Sequence, residues 1–258
     1  MILVTDQLQQ RIELQTFPKK IISTVPSQTE LLYHLGLEQQ VAGITKFCVH
    51  PPNWKTTKTI IGGTKNLNLA KIKQLQPDLI IANKEENLQA EITELAKNFP
   101  VFISDVNNLT SALDMIEKLG ALTNTLPKAQ SIIQEIETAF ANLQPISPQK
   151  SVAYLIWQNP YMTVGNDTFI HAMLQHCGLV NVFANQTRYP ETTITELQKL
   201  QPDYLLLSTE PYPFKQNHVT ELQSLLPYTK ILLADGEYFS WYGSRLCHAP
   251  AYFKKLLA

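Results

Sequence analysis

The sequence predicts an α/β protein with two lobes of mostly parallel sheets, joined by one long helix. Three observations indicate this fold: a repeated Pro-Asp turn before an apolar strand, a repeated helix that ends at glycine, and an amphipathic segment between the halves. Strands that alternate with helices are typical of parallel sheets. We expect an N-terminal lobe over residues 19–124, a connecting helix over residues 125–145 and a C-terminal lobe over residues 150–258.

The strand predictions rest on a repeated pattern. Residues 75–85 read LQPDLIIANKE, and residues 200–210 read LQPDYLLLSTE. In each copy a Pro-Asp turn precedes a short apolar run, which is typical of a buried strand. Because a residue before proline disfavours the helical conformation, we expect Gln76 and Gln201 to end the preceding helices. The two strands that follow should occupy equivalent positions in separate sheets.

Two further segments repeat in the same order. Helical apolar patterns end at Gly36 and Gly178, and glycine suits a left-handed helix terminus. Strand patterns over residues 99–105 and 230–235 each end at an aspartate. These matches indicate that the second lobe duplicates the design of the first.

The segment between the halves has the spacing of an amphipathic helix. Its apolar positions are Ala129, Ile132, Ile133, Ile136, Phe140 and Leu143. Pro127 suits the first turn of a helix, whereas Pro145 and Pro148 end it. The pattern predicts one continuous helix from about Pro127 to Leu143, which would keep closure of the two lobes small.

Composition and charge exclude several classes of function. The 258 residues are 44% hydrophobic and carry a formal net charge of −1, with no basic run. We therefore expect neither disorder nor nucleic-acid binding. Three widely spaced cysteines do not indicate a disulfide framework. The sequence as given shows no export signal, so localisation stays open.

Several ordered segments carry a family resemblance. They are residues 21–30 (IISTVPSQTE), 41–45 (VAGIT), 62–64 (GGT), 68–72 (NLAKI) and 76–82 (QPDLIIA). Together with the connecting helix, they make the chain resemble the helical-backbone metal receptors, the periplasmic substrate-binding proteins of the cobalamin and ferric-siderophore type. The resemblance covers about residues 19–258. It implies two lobes that clamp a ligand and deliver it to an ABC permease. We expect a monomer without a cofactor.

The resemblance also implies one carboxylate on each lobe that docks on permease arginines. The matching positions, seven residues before each Pro-Asp turn, are Ala70 and Thr195, and neither is acidic. Glu196 is adjacent and could substitute on one lobe only. Docking on a permease is therefore less well matched than ligand binding.

Candidate ligand-binding residues lie in the loops that follow the predicted strands, because ligands of open α/β sheets bind beyond the carboxyl ends of the strands. The candidates are Lys46, Cys48, His50, Trp54, Lys84, Glu85, Trp157, Arg188, Tyr189, Glu210, Tyr212, Phe214, Trp241, Tyr242 and Arg245. Aromatic loop residues favour a flat, partly apolar ligand. The basic residues suit carboxylates or a catecholate. We therefore expect a metal chelate or corrinoid: cobalamin, haem or a ferric siderophore.

The aromatic candidates are expected to form walls around this ligand. They are Trp54, Trp157, Tyr212, Phe214, Trp241 and Tyr242. Cys48 and His50 have side chains that bind soft metals, although a lone cysteine more commonly packs in the interior. We expect no metal site built from protein ligands alone.

Two alternative functions stay open at this stage. A non-exported cytoplasmic binding or sensing protein would keep the fold without a permease. An enzyme would use carboxylates such as Glu85, Glu86 or Asp235 for acid–base chemistry. The chain has no GxGxxG, GxxxxGKS/T or GxSxG pattern, so we expect a binding protein and not an enzyme.

Overall fold

Two parallel sheets organise the fold, which a computed structural model describes over residues 1–258. The first unit comprises Met1–Val106, Thr110–Ile136 and Tyr242–Arg245. The second unit comprises Asn107–Leu109, Glu137–Trp241 and Leu246–Ala258. Each unit contains one of the two sheets, so the predicted α/β class with parallel sheets is confirmed. The lobe boundaries given above stay predictions.

The first half of the chain begins with a hairpin and then alternates strands with helices. Its elements are β1 (Ile2–Thr5), β2 (Arg11–Leu14), β3 (Ile21–Ser23), α1 (Pro26–His34), β4 (Val41–Ile44), α2 (Trp54–Thr57), β5 (Thr59–Ile60), β6 (Gly62–Gly63), β7 (Asn66–Leu67), α3 (Leu69–Leu75), β8 (Leu79–Asn83), α4 (Gln89–Ala96), β9 (Val101–Ser104), α5 (Leu109–Leu122) and α6 (Leu126–Ala141). The first sheet has the order β5-β4-β3-β8-β9, and all its pairs are parallel.

The second half of the chain repeats this alternation. Its elements are β10 (Lys150–Leu155), β11 (Tyr161–Met162), α7 (Phe169–His176), β12 (Leu179–Asn181), β13 (Glu191–Thr192), α8 (Ile194–Leu200), β14 (Tyr204–Ser208), α9 (Gln216–Leu225), β15 (Lys230–Ala234), α10 (Gly236–Ser240) and α11 (Ala249–Leu257). The second sheet has the order β12-β10-β14-β15 and is also fully parallel. No helix combines the length and the apolarity needed to cross a membrane.

Each Pro-Asp repeat precedes an interior strand that lies next to an edge strand of its sheet. β8 begins after Asp78 and lies between β3 and β9, whereas β14 begins after Asp203 and lies between β10 and β15. All five residues of β8 are buried, as expected for a parallel strand that is covered on both faces. The prediction of equivalent strands in separate sheets is confirmed.

Gln76 and Gln201 end helices α3 and α8, as predicted. Both residues adopt the left-handed conformation, with φ of 48° and 44°. A side chain is disfavoured in this conformation, but the following proline excludes the right-handed helical alternative. At their other ends, the Asn68 side chain caps α3 and the Thr193 side chain caps α8.

The aspartate of each repeat fixes the start of a neighbouring strand. Asp78 Oδ2 accepts hydrogen bonds from the backbone N–H groups of Lys19 and Lys20, at 2.8 and 2.9 Å. Asp203 Oδ2 accepts from the backbone N–H of Ser151 at 2.8 Å, and this bond, with others from Ser151 and Lys150, lowers the pKa of Asp203 to about 2. The repeated aspartates therefore have a structural role that fixes strand register.

The amphipathic segment forms α6, which begins at Leu126 and ends at Ala141. The helix ends two residues before the predicted Leu143, whose backbone N–H bonds to Phe140 at 3.1 Å in a final tighter turn. Ala129, Ile136 and Phe140 are buried. Residues of α6 belong to both units. Its role as the connection that limits closure stays a prediction.

The N-terminal hairpin has no counterpart among the predicted elements, which begin at residue 19. β1 and β2 pair antiparallel. The fully buried Asp6 in their turn accepts a hydrogen bond at 3.2 Å from the backbone N–H of Ile103, and Gln7 N–H donates to the Ile103 carbonyl at 3.3 Å. The turn therefore covers the outer edge of β9.

Candidate functional site

The loops beyond the carboxyl ends of the parallel strands contain the predicted site residues. In the first unit they follow β4 and β8, and in the second unit they follow β10, β12, β14 and β15. Loops that leave parallel strands in this direction share one edge of their sheet. Each unit therefore presents its own group of candidate side chains.

Cys48 is part of the interior of the first unit. Its side chain is fully buried, with Sγ 3.1 Å from Thr29 Oγ1 and 3.2 Å from Thr45 Oγ1. Burial raises the pKa of the thiol, which disfavours the thiolate that binds metals. His50, two residues later, is half-buried. No group of three or more His, Cys, Asp or Glu side chains is arranged to hold a metal ion.

Trp54 is also an interior residue, and this corrects its assignment to an aromatic wall. The indole is only 2% exposed. Its ring packs edge-on against Tyr33, with centroids 5.7 Å apart, and Lys58 Nζ lies 5.2 Å from the ring. Because α2 begins at Trp54, the side chain anchors this short helix and offers no face to a ligand in this conformation.

Phe47 is an exposed aromatic residue at the carboxyl edge of the first sheet and is absent from the predicted site residues. It lies in the loop after β4 and is 52% exposed. Lys46 Nζ lies 5.1 Å from its ring centroid, so a predicted basic residue and an unpredicted aromatic residue form one surface. Its position between the candidates Lys46 and Cys48, in the loop after β4, is the sequence feature that could have predicted it.

Lys84 and Glu85 follow β8 in a turn that the buried Asn83 builds. Asn83 Oδ1 accepts from the backbone N–H groups of Glu85 and Glu86, at 2.8 and 3.0 Å. Lys84 Nζ lies 2.6 Å from Asp105 Oδ2, and the lysine side chain is half exposed. Lys65 Nζ donates to the Glu85 carbonyl oxygen. The turn thus places both predicted residues at the carboxyl edge of the first sheet.

An aromatic cluster follows β10 and β14 in the second unit. Trp157 and Tyr212 pack edge-on with centroids 5.6 Å apart, and Tyr212 contacts Phe214 at 4.7 Å. The Tyr212 hydroxyl donates to Gln158 Oε1 at 2.6 Å, which fixes its ring. Trp157 is 40% exposed, whereas Phe214 is 2% exposed and belongs to the hydrophobic core. Trp157 therefore presents a face to solvent, and the assignment of Phe214 to a ligand wall is corrected.

Glu210 joins the loops that follow β14 and β15. Its Oε1 accepts from the Ser240 hydroxyl and from the Trp241 indole N–H, both at 2.8 Å. Burial raises the pKa of Glu210, and the nearby carboxylates Glu237 and Asp235 raise it further. Trp241 is only 5% exposed, so its predicted role as a wall is corrected to a packed residue held by Glu210.

Arg188 and Tyr189 form a separate pair in the second unit. The Arg188 guanidinium lies 5.6 Å from the Tyr189 ring centroid, and the Arg188 backbone N–H donates to Asp167 Oδ1 at 2.5 Å. Arg188 is exposed and Tyr189 is half-buried. The pair places a positive charge and an aromatic ring on one surface of the second unit.

Tyr242 and Arg245 belong to the first unit, apart from the other candidates of the C-terminal half. Tyr242 is 6% exposed. Arg245 Nη2 donates to Glu30 Oε1 at 2.7 Å and Arg245 Nε donates to Glu30 Oε2 at 3.0 Å. Two donors of its fork are therefore engaged by a carboxylate of its own unit, and the predicted role of Arg245 toward ligand anions stays a prediction.

One cavity of about 350 Å³ lies elsewhere in the first unit. It is lined by Gln10–Glu13 and by residues 96 and 98–101, which are at the amino end of β9. None of the predicted site residues lines it.

The sequence profile described as periplasmic binding protein matches residues 21–225, which is more than half of the chain. The chain belongs to the periplasmic binding protein family. The resemblance identified from the ordered segments is thereby confirmed, and the match covers the strands and helices that carry most of the candidate residues.

Two relatives show how this family member compares with named proteins. An ABC transporter substrate-binding lipoprotein of Bacillus subtilis, YvrC, is 28% identical over 214 residues, which are 79% of this chain and 68% of the relative. The vitamin B12-binding protein of Vibrio cholerae is 27% identical over 202 residues, or 74% of this chain and 71% of the relative.

The fold of this chain agrees with a solved structure over nearly its whole length. The petrobactin-binding protein YclQ of Bacillus subtilis superposes with a TM-score of 0.86, covering 99% of this chain and 98% of YclQ at 18% identity. At this identity the likeness is one of fold. YclQ and both relatives are named as substrate-binding or ligand-binding proteins.

Proposed function

We propose that this protein is the substrate-binding component of an ABC-type uptake system and that it binds a metal chelate or corrinoid without changing it covalently. The observation that carries the proposal is the match to named binding proteins over about three quarters of the chain, at 27–28% identity. Vitamin B12 is the ligand in the name of one of them.

The side chains at the strand ends support a large, flat and partly apolar ligand. Phe47 and Trp157 are 52% and 40% exposed at the carboxyl edges of the two sheets. Exposed aromatic rings on a rigid scaffold bind planar ligands by stacking. Lys46 beside Phe47 and Arg188 beside Tyr189 add positive charge for peripheral carboxylates or a catecholate. Haem, cobalamin and ferric siderophores share these properties.

Docking on a permease by the mode that the resemblance implies would need one exposed carboxylate on each lobe. Ala70 and Thr195 are exposed and occupy the second positions of α3 and α8. Neither carries the carboxylate that the family resemblance implies. Glu196 is half-buried and its Oε2 accepts from the Thr192 hydroxyl at 2.9 Å, so it only partly replaces a free docking carboxylate.

A thermal-shift screen tests the proposed ligand class. The probes are cyanocobalamin, haemin, a ferric catecholate and a ferric hydroxamate. We expect one of them to raise the unfolding temperature, because ligand at about 100 times its Kd adds ~2.7 kcal/mol of apparent stability. Recovery of the bound probe unchanged by mass spectrometry supports a binding protein, and a converted product supports an enzyme. No shift with any probe contradicts the proposed ligand class.

A further inference from the structure

Four residues near the C-terminus belong to the first unit although their neighbours in sequence do not. The segment Tyr242–Arg245, which we call the strap, lies in the first unit, whereas Trp241 and Leu246 belong to the second. Three successive residues of the strap contact helix α1 of the first unit.

The strongest of these contacts is an ion pair. Arg245 donates through Nη2 and Nε to the two carboxylate oxygens of Glu30, at 2.7 and 3.0 Å. The side chains are only 12% and 10% exposed. A bidentate geometry strengthens the pair, and removal of one partner leaves a poorly solvated charge. Next to it, Ser244 Oγ lies 2.7 Å from His34 Nδ1.

Gly243 brings the strap backbone against the first turn of α1. A Cβ at this position would lie 2.8 Å from the Ser27 carbonyl oxygen and 3.4 Å from Leu31 Cβ. Only glycine permits this approach without a shift. Because successive Cα atoms are about 3.8 Å apart, Tyr242 lies close to the amino end of α1. That end directly follows β3, so it is at the carboxyl edge of the first sheet.

We propose that Glu30 and Arg245 are positioning residues for ligand binding: their ion pair holds the strap along α1 and thereby fixes the buried Tyr242 at the edge of the first sheet, where we expect the ligand to bind. This inference rests on the proposed function. The ion pair and the close approach of Gly243 both hold the strap against α1. Each contact therefore restrains Tyr242, the first residue of the strap.

The test compares variants that loosen the strap in different ways. Glu30→Gln and Arg245→Gln remove the ion pair, Arg245→Lys keeps the charge but not the fork, and Gly243→Ala pushes the strap away from Ser27 without touching the pair. Glu94→Gln is the matched control, because Glu94 also pairs with basic side chains of the first unit, Lys73 and Lys97, both at 2.8 Å. Amide hydrogen exchange of residues 242–245 reports on the strap, urea denaturation on folding, and calorimetry on the affinity for cyanocobalamin and haemin.

We expect Glu30→Gln, Arg245→Gln and Gly243→Ala to speed amide hydrogen exchange in the strap. They should also weaken binding of the active probe, which is whichever of cyanocobalamin and haemin the wild-type protein binds, by about tenfold or more. Arg245→Lys should recover part of the affinity, and Glu94→Gln should stay within about twofold of wild type. Faster exchange with unchanged affinity in folded variants overturns the positioning role. The wild-type protein could also bind neither probe while the strap still exchanges faster in the variants. That result would show that the pair holds the strap, but it would contradict the proposed ligands and overturn the role of the pair in binding.

Discussion

The indole N–H of Trp241 donates a hydrogen bond to Glu210 Oε1 at 2.8 Å, so a carboxylate with a raised pKa holds an almost fully buried tryptophan. Ser240 donates to the same oxygen. The nearby charges that act on Glu210 are those of Glu237 and Asp235, which oppose its ionisation. Folding thus favours the protonated form of this carboxyl group at the carboxyl edge of the second sheet.

Glu210→Gln should stabilise the protein at neutral pH. The pKa of Glu210 is higher in the folded state, so folding favours the protonated form, and the wild type loses stability as pH rises from the unfolded pKa to the folded pKa. Glutamine keeps an oxygen acceptor for Trp241 and carries no charge. Urea denaturation from pH 4 to 8 should show a variant advantage that grows with pH and then stays constant.

Glu94→Gln provides the control of opposite sign. Hydrogen bonds from Lys73 and Lys97 lower the pKa of Glu94 to about 2, so its contribution is present above the unfolded pKa and is lost as pH falls. The variant should therefore be no more stable than wild type at neutral pH. If Glu210→Gln shows the same profile as Glu94→Gln, the raised pKa of Glu210 is wrong.

Trp157→Ala and Phe214→Ala should separate binding from stability. Trp157 is 40% exposed, so its loss should weaken binding of the active probe by about 0.5–1.5 kcal/mol beyond lost area, with little effect on folding. Phe214 is 2% exposed in the core, and its truncation should cost about 3–5 kcal/mol of folding free energy. Calorimetric titration and urea denaturation measure the two effects. A Trp157→Ala variant that binds as tightly as wild type would show that this ring does not contact the ligand.

The sequence predicted the positions of the strands better than the exposure of the aromatic side chains. The Pro-Asp repeats and glycine-ended helices predicted the strand positions, because turn chemistry and apolar runs are local properties. Gly36 and Gly178 do adopt positive φ, at 82° and 77°. Whether an aromatic residue in a loop faces solvent is not local. Trp54, Phe214 and Trp241 are covered by residues distant in sequence, whereas Phe47 is not.

The Arg245–Glu30 ion pair could not be predicted from the sequence either, because it joins residues that are distant in sequence. Its partners are separated by 215 positions, and no periodic pattern connects them. Glu30 lay within a segment that carried the family resemblance, but the sequence alone did not indicate its partner. Long-range ion pairs depend on how the chain returns to an earlier element, which local propensity does not specify.

Gln201→Gly should stabilise the protein more than Gln76→Gly. Both residues have positive φ, which costs a side chain about 1–2 kcal/mol and glycine little. Gln76 Nε2 donates to the Lys73 carbonyl at 2.6 Å, so its replacement also removes a hydrogen bond. Gln201→Gly should therefore gain about 0.5–1 kcal/mol in urea denaturation after the higher entropy of unfolded glycine is included. A loss of stability in Gln201→Gly would contradict the strain.

Asp203→Asn should destabilise the second sheet at neutral pH. The carboxylate accepts from Ser151 and Lys150, and its pKa of about 2 shows that the folded state favours the ionised form. Because the site is partly exposed, we expect a loss of about 1 kcal/mol. The difference from wild type should shrink as pH falls from about 4 to 2, because the unfolded chain takes up a proton at this carboxylate before the folded protein does. A difference that does not change over this range would assign the effect to packing.

The N-terminal hairpin has a consequence for self-association. It lies outside residues 21–225 that match the family profile, yet Asp6 and Gln7 occupy the outward backbone groups of Ile103. A chain trimmed to residues 19–258 would present β9, with the sequence VFIS, as an open strand edge that can template pairing with another molecule. Light scattering should therefore detect aggregates of the trimmed chain before any loss of secondary structure. We therefore expect resistance to aggregation to depend on the first fourteen residues, which contribute none of the candidate ligand-binding side chains.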